Sequence, residues 1–353
     1  MKKILNYWVE HLKLYKEILY IIIIYNMEGK KIIGGCLLLG YAGTGKTFLL
    51  NIIIRKIEER GEKVIRCAPT NKACRLIGGI TLNKFFLTYG KNNSLQGIDW
   101  IIIDEVSMMK EEFYKKFITI KTNNPKISFI LCGDFNQLEP VNDRCHFDYE
   151  NSPAMHQLVG GNRLMLTKCR RSDDILFNLC LKVLDDTLDA SEFNNKICRR
   201  GICYTNKTRI LKNKESNERH YEEKKKKQKG TLKFVRIEKN ETDENSQDMM
   251  LFSEVQLISH VNNKELDICN GECFEVKQVK KDTIIISDGV DERIINFEDI
   301  KKCFYLGYVL TCHKSQGSTF NFQYTIYEYE MMSCKMKYVA LSRGTTKDNI
   351  NIC

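Results

Sequence analysis

The eight residues GYAGTGKT, Gly40 to Thr47, constrain this 353-residue chain more than any other stretch. They fit the pattern G-x-x-x-x-G-K-[ST], with apolar CLLL before them and FLLNIIIRKIEER after, closing at Gly61. That order predicts a buried strand, a loop and a helix, the context a phosphate-binding loop requires. Gly40, Gly43 and Gly45 let backbone N–H groups approach phosphate oxygens where the helix begins. Lys46 is placed to reach the β- and γ-phosphates, and the Thr47 hydroxyl to hold Mg²⁺. A chance glycine-rich turn would not bring its own strand and helix.

A second strand, WIIIDEVSMM, ends in Asp104 and Glu105. An acid at the end of a buried strand is unfavourable unless something pairs with it. Mg²⁺ held by Asp104 answers that, with Glu105 orienting or activating the attacking water. A lone Asp-Glu pair reads equally well as a helix cap; the phosphate loop decides between them. A third apolar run, ISFILCG, leads into Asp134 and Gln137. VIRCAPTNKAC reads as a further strand followed by the loop Pro69-Thr70-Asn71 on the same edge, where short polar groups can grip a phosphodiester backbone. In TLNKFF, Phe85 and Phe86 either stack on bases or belong to the core.

With 43% hydrophobic and 28% charged residues, the chain can bury the cores of two domains or slightly more. The net charge of +10 points to an acidic partner such as nucleic acid. Much of it is local: residues 207–240 hold 13 Lys or Arg against 5 Asp or Glu. The 15 cysteines are scattered and read as free thiols in a reducing compartment. Cys198/Cys203 and Cys269/Cys273 have zinc-compatible spacing, but no His-x₃₋₅-His partner follows either pair. The apolar run Ile18 to Tyr25 is short of the ~20 residues a membrane span needs. A soluble intracellular protein, cytoplasmic or nuclear, with no membrane partner is the expectation.

GYAGTGKT, APTNKA, IIIDEVSM and GDFNQLEPV, in this order, resemble the first half of a superfamily 1 helicase. LTKCRRSDD, YTNKTRI, DICNGECFEV, VLTCHKSQGSTF and YVALSRGTT resemble the second half, and the RecD/Pif-like branch is the nearest match. The resemblance runs from about residue 35 to the C-terminus. It implies an α/β fold of two RecA-like phosphate-loop domains, with ATP in the cleft between them and a small β-barrel-like insertion in the second. The implied division is an N-terminal segment 1–29, a first domain 30–165 and a second domain 166–353. The second would carry a polar basic insert at about 213–250 and the β insertion at about 267–305. By the same resemblance Gln137 senses the γ-phosphate, a role an amide suits because it both donates and accepts. Arg170 and Arg343 reach the nucleotide from the second domain; Arg171 stands where the family commonly has glutamine and can share that role. Gln316 and Gly317 face the nucleotide, whereas Asn206, His313 and Ser315 face the nucleic acid.

Three departures from the family pattern stand out. No glutamine precedes Gln96, so the adenine-reading glutamine of relatives has no counterpart. Only LTYGKNNSLQGID separates TLNKFF from WIIIDE, so any strand-splitting pin is short. The polar stretch NKESNERHYEEKKKKQKG and the TLKFVRIEKNETDENSQDMM that follows read as a solvated, partly disordered insert, with Lys224 to Lys227 able to add phosphate contacts. The sequence thus predicts an ATP-dependent DNA helicase or translocase, 5′-to-3′ by resemblance, using ATP and Mg²⁺ on single-stranded DNA. The rivals are an ATP-switched nucleic-acid-binding scaffold without unwinding, and an RNA helicase.

Overall fold

Six parallel strands build the first sheet: β1 Gly35–Gly40, β2 Val64–Ala68, β3 Ile80–Thr81, β4 Trp100–Ile103, β5 Ser128–Gly133 and β6 Arg163–Leu166, ordered β3-β2-β4-β5-β1-β6. The structure, a computed structural model, describes residues 35–90, 95–140, 148–227 and 231–353; the N-terminal segment 1–29 lies outside them. Among the described residues, five helices join these strands: α1 Lys46–Glu58, α2 Asn71–Ile77, α3 Leu82–Tyr89, α4 Glu111–Asn123 and α5 Pro153–Val159. Leu37, Leu39, Ile101, Ile103, Phe129 and Leu131 pack beneath α3, α4 and α5. Leu38, Ile102, Ile130 and Cys132, one residue out of phase, pack beneath α1 and α2. Burial on both faces explains why WIII and SFILCG are unbroken apolar runs rather than alternating ones. Because β4, β5 and β1 are neighbours, the loops at their carboxyl ends lie side by side.

After α6 Asp174–Leu184 come β7 Arg200–Cys203, α7 Asn206–Lys227, and the antiparallel pair β8 Val235–Ile237 and β9 Met249–Leu251. Strands β10 Gln256–Ser259, β11 Cys273–Val279, β12 Thr283–Ser287, β13 Glu292–Asn296 and, past α8 Phe297–Cys303, β14 Phe304–Leu306 form an antiparallel sheet ordered β13-β12-β11-β10-β14. Its first strand, β10, starts upstream of the 267–305 stretch that the sequence marks as strand-rich. The chain then adds β15 Val309–Thr311, α9 Cys312–Ser315, β16 Tyr324–Ile326, α10 Cys334–Leu341 and β17 Ile350–Ile352, giving a second parallel sheet, β15-β7-β16-β17. A mixed α/β architecture with two parallel sheets is therefore present.

The reading of residues from 213 onward as a partly disordered insert is corrected here. Residues 206–227 are one 22-residue helix. Its buried face is polar, so no hydropathy pattern announces it. Asn213 is fully buried; its amide donates to the Val309 carbonyl and accepts from the Val309 N–H, both at 2.9 Å. One turn on, Asn217 exchanges the same two bonds with Met250, again at 2.9 Å each. A further turn on, His220 Nδ1 meets the Tyr308 hydroxyl at 2.9 Å. Spacing of three or four residues puts all three on one face. Each amide behaves like an added peptide group, satisfying edge-strand backbone that would otherwise be buried unpaired. The lysines at 224–227 form the last turn, where cations complement the helix dipole.

Candidate active site and nucleic-acid interface

The phosphate loop turns on Gly43 and Gly45, at φ 78° and 90°, in the left-handed region that favours glycine. A Cβ on Gly43 would sit 2.7 Å from Arg171 Cβ and 3.0 Å from Cys169 Sγ, so the loop needs glycine to pack against the start of the second half. The backbone N–H groups of Arg170 and Arg171 both donate to the Gly43 carbonyl, at 2.7 and 3.2 Å. Lys46 is buried at the start of α1, and its ammonium donates to the carbonyls of Gly40 at 2.7 Å and Tyr41 at 3.0 Å. Thr47 Oγ1 donates to Asp104 Oδ2 at 2.9 Å, bringing together the two proposed metal-holding groups. Asp104 is buried at the end of β4, which pushes its carboxyl pKa up, while Thr47, the Glu105 N–H and Lys46 pull it down. Glu105 has φ 52°, and its Oε2 is buried with no partner among the described residues. Burial, then Asp104, raises its pKa to about 7, against the opposing pull of Lys46 and Arg343.

The second half brings its own charge. Arg343 follows α10 and is 1% exposed. Its Nε donates to the Val339 carbonyl at 2.9 Å, one terminal nitrogen to the Ser318 carbonyl at 3.3 Å and the other to Ser342 Oγ at 2.9 Å. All three acceptors are neutral, and no carboxylate pairs with this guanidinium among the described residues. A buried cation without a counter-ion is unfavourable unless an anion arrives. Arg171 donates to the Ser342 carbonyl at 3.0 Å, and burial beside Arg343 lowers its pKa to about 10. Its side chain is therefore tied to the Arg343 turn.

Asp134, buried at the end of β5, accepts from Gln137 Nε2 at 3.0 Å. Gln137 Oε1 in turn accepts from Gln316 Nε2 at 3.4 Å, across the cleft. Gln316 Oε1 is buried without a partner among the described residues, and Gly317 sits beside Lys72 at φ 75°. An ammonium on neutral carbonyls, an orphaned carboxylate oxygen and a guanidinium without an acid fit a nucleoside triphosphate with its divalent cation. Thr47 and Asp104 would hold that cation, which supplies charge neutralisation on the phosphates.

The proposed nucleic-acid residues divide. Pro69, Thr70 and Asn71 are partly exposed at the carboxyl end of β2, with Thr70 Oγ1 capping α2 by accepting from the Ala73 N–H at 3.2 Å. Asn206 and His313 are exposed at the carboxyl ends of β7 and β15. The loop between β10 and β11 links the two halves here. Asn71 Nδ2 donates to Asn262 Oδ1 at 2.8 Å, Asn270 N donates to the same oxygen at 2.9 Å, and Lys314 donates to Asn270 Oδ1. Phe85 is corrected: it is fully buried among Phe86, Tyr89 and Phe117, because its spacing in α3 turns it to the core, so it cannot stack on a base. Ser315 is corrected as well, being fully buried with its hydroxyl donating to the Cys312 carbonyl at 2.8 Å.

Three cross-cleft residues escaped the sequence reading. Lys72 donates to the Gln316 carbonyl at 3.1 Å and Ser318 Oγ at 2.8 Å. Arg75 pairs with Asp267 at 2.9 Å and Glu272 at 2.6 Å. Tyr338 joins Ala42 to Asp134. Only the positions of Lys72 inside APTNKAC, of Arg75 directly after it and of Tyr338 at the head of YVALSRG hinted at them. Glu139 pairs with Lys335. The described cysteines are free thiols, and no group of three metal-binding side chains occurs among the described residues. Nor is any helix among them long and apolar enough to cross a membrane.

Residues 33–152 match the model of an AAA domain family. The chain is 36% identical over 117 residues to the ATP-dependent DNA helicase PIF1 of Trypanosoma brucei brucei, spanning 30% of this chain and 13% of that protein. It is 28% identical over 173 residues to Pif1 of Bdellovibrio bacteriovorus, spanning 42% of this chain and 38% of that protein. These matches thus span well under half the length of the curated relatives. Among solved structures, Bacteroides Pif1 in complex with ADP-AlF3 and single-stranded DNA aligns with a TM-score of 0.64 at 21% identity, over 95% of this chain and 91% of that one. Pif1 from Candida albicans aligns at 0.65 and 20% identity, over 94% and 93%. At that identity the structural likeness establishes the fold.

Proposed function

We propose that this chain, Pif1-like and of superfamily 1 helicase fold, hydrolyses ATP in the cleft between its two parallel-sheet domains and uses the cycle to move along single-stranded DNA. One observation carries the reading: among the described residues, Lys46 of the first half and Arg343 of the second are held by neutral oxygens without an ion pair, and the Glu105 carboxylate that both act on leaves Oε2 without a partner. Lys46 and Thr47 bind the phosphates and Mg²⁺ with Asp104. Glu105 directs the attacking water, and Arg343, helped by Arg170 and Arg171, stabilises charge developing on the transferred phosphoryl group. Gln137 bonds to Gln316 in one geometry and to a γ-phosphate in another, so it reports nucleotide state to the loop bearing His313. Thr70, Asn71, Asn206 and His313 grip the strand by its backbone. A 5′-to-3′ direction follows the resemblance of the motif set.

The test is the ATPase rate of the purified protein alone, with single-stranded DNA, and with single-stranded RNA of equal length. Stimulation by DNA beyond RNA supports the motor. Equal rates in all three overturn it in favour of an ATP-switched scaffold, and stimulation by RNA alone favours an RNA motor. Where DNA stimulates, unwinding of duplexes with a 5′ or a 3′ tail reads the direction.

A further inference from the structure

Tyr338 is 1% exposed, and among the described residues its hydroxyl makes two bonds, both to the other half of the molecule. It accepts from the backbone N–H of Ala42, inside the phosphate loop, at 2.7 Å. It donates to Asp134 Oδ2 at 3.0 Å. The same carboxylate oxygen receives Gln137 Nε2 at 3.0 Å. Tyr338 lies on α10, whose end carries Arg343, and Arg343 Nε is bonded to the Val339 carbonyl next in sequence. Around it, Tyr41, Ala42 and Leu138 of the first half pack into the apolar core of the second. Loop, γ-phosphate sensor and arginine helix therefore meet at two mutually bonded oxygens, Tyr338 Oη and Asp134 Oδ2.

We propose that Tyr338 is a positioning residue that registers the Arg343 helix against the phosphate loop, so that Arg343 reaches the nucleotide only when the cleft is closed. The inference rests on the nucleotide-cleft reading above. The aromatic ring supplies packing that phenylalanine keeps; the hydroxyl supplies the register. Burial, with Asp134 alongside, raises the phenol pKa, so the hydroxyl stays a donor to Asp134. Its bond to a carboxylate is of the stronger, charge-assisted kind.

Tyr338→Phe tests this by steady-state ATPase kinetics with saturating single-stranded DNA. The kcat with DNA should fall about 10-fold, more than the rate without DNA, while KM for ATP moves less than about 2-fold. Gln137→Ala hangs on the same carboxylate, so the double variant should lose little beyond the larger single loss. Asp134→Ala removes the acceptor of the first half and should reproduce the kcat loss, a check that holds even where Tyr338→Phe melts early. A Tyr338→Phe enzyme with wild-type kcat, a rise confined to KM, or losses that multiply in the double variant would overturn the role. The wild-type control separates the claims. A wild type unmoved by DNA overturns the motor reading, whereas a stimulated wild type matched by Tyr338→Phe overturns only Tyr338.

Discussion

The cleft and the inner face of α7 are both buried and polar, yet their hydrogen-bond accounts differ. On α7, Asn213 and Asn217 each donate one bond to and accept one from the backbones of Val309 and Met250, and the buried orphan atom of the helix is Arg209 Nη1 in its first turn. In the cleft, Glu105 Oε2 and Gln316 Oε1 have no partner among the described residues, and Arg343 is held by neutral oxygens. Satisfied polar burial fixes structure; unsatisfied polar burial stores affinity for something that comes and goes. The comparison therefore predicts opposite phenotypes for the two places: loss of activity at constant stability, and loss of stability first.

Lys46→Ala should show the largest effect, an ATPase loss of about a thousandfold or more. Its melting temperature without nucleotide should stay near wild type, since a buried charge leaves with the side chain. Near-normal turnover would remove the site assignment. On the other side, Asn213→Ala should destabilise by about 2–3 kcal/mol, leaving both Val309 backbone groups unpaired. Chemical denaturation checks it, and a change under about 0.5 kcal/mol would dissolve the contrast.

His220 gives a pH handle on the same face. Burial, with Arg199 and Lys224 nearby, lowers its pKa to about 4. The unfolded chain, with its histidine near 6.5, takes the proton first. The stability linked to neutral His220 is thus complete above about pH 6.5 and is lost as pH falls from there toward 4, by roughly 2–3 kcal/mol in all. His220→Gln should flatten that part of the melting profile. The smallest effect belongs to Lys225, Lys226 and Lys227. They sit some 30 Å along α7 from Asn206, at ~1.5 Å per residue, far from the strand-end loops. Changing all three to Gln should leave the salt dependence of DNA binding nearly unaltered. A clear drop in slope would bring that helix end into the interface.

Local signals made the first half legible. The phosphate loop, Asp104-Glu105 and the Asp134 strand end are contiguous in sequence, and neighbouring strands bring them together. The site's other wall depends on pairings between distant residues: Ala42 with Tyr338, Lys72 with Ser318, Gln137 with Gln316. No window of sequence contains both partners. α7 is illegible to a hydropathy pattern because its buried face is made of polar side chains, Arg209, Asn213, Ser216, Asn217 and His220. Phe85 was open to two readings because LNKFFLTY carries adjacent aromatics, and only the helix phase decides which of them is covered.

The most direct test of the central claim is Arg343→Lys, read by binding of a fluorescent ATP analogue and by DNA-stimulated hydrolysis on the same preparation. Lysine keeps the charge but loses the planar donor fork. The account predicts a Kd within a few-fold of wild type and hydrolysis lowered about a hundredfold, because the arginine acts on charge that develops during the reaction. Hydrolysis at the wild-type rate would contradict it, and Arg343 would then be a core residue that merely sits beside the nucleotide.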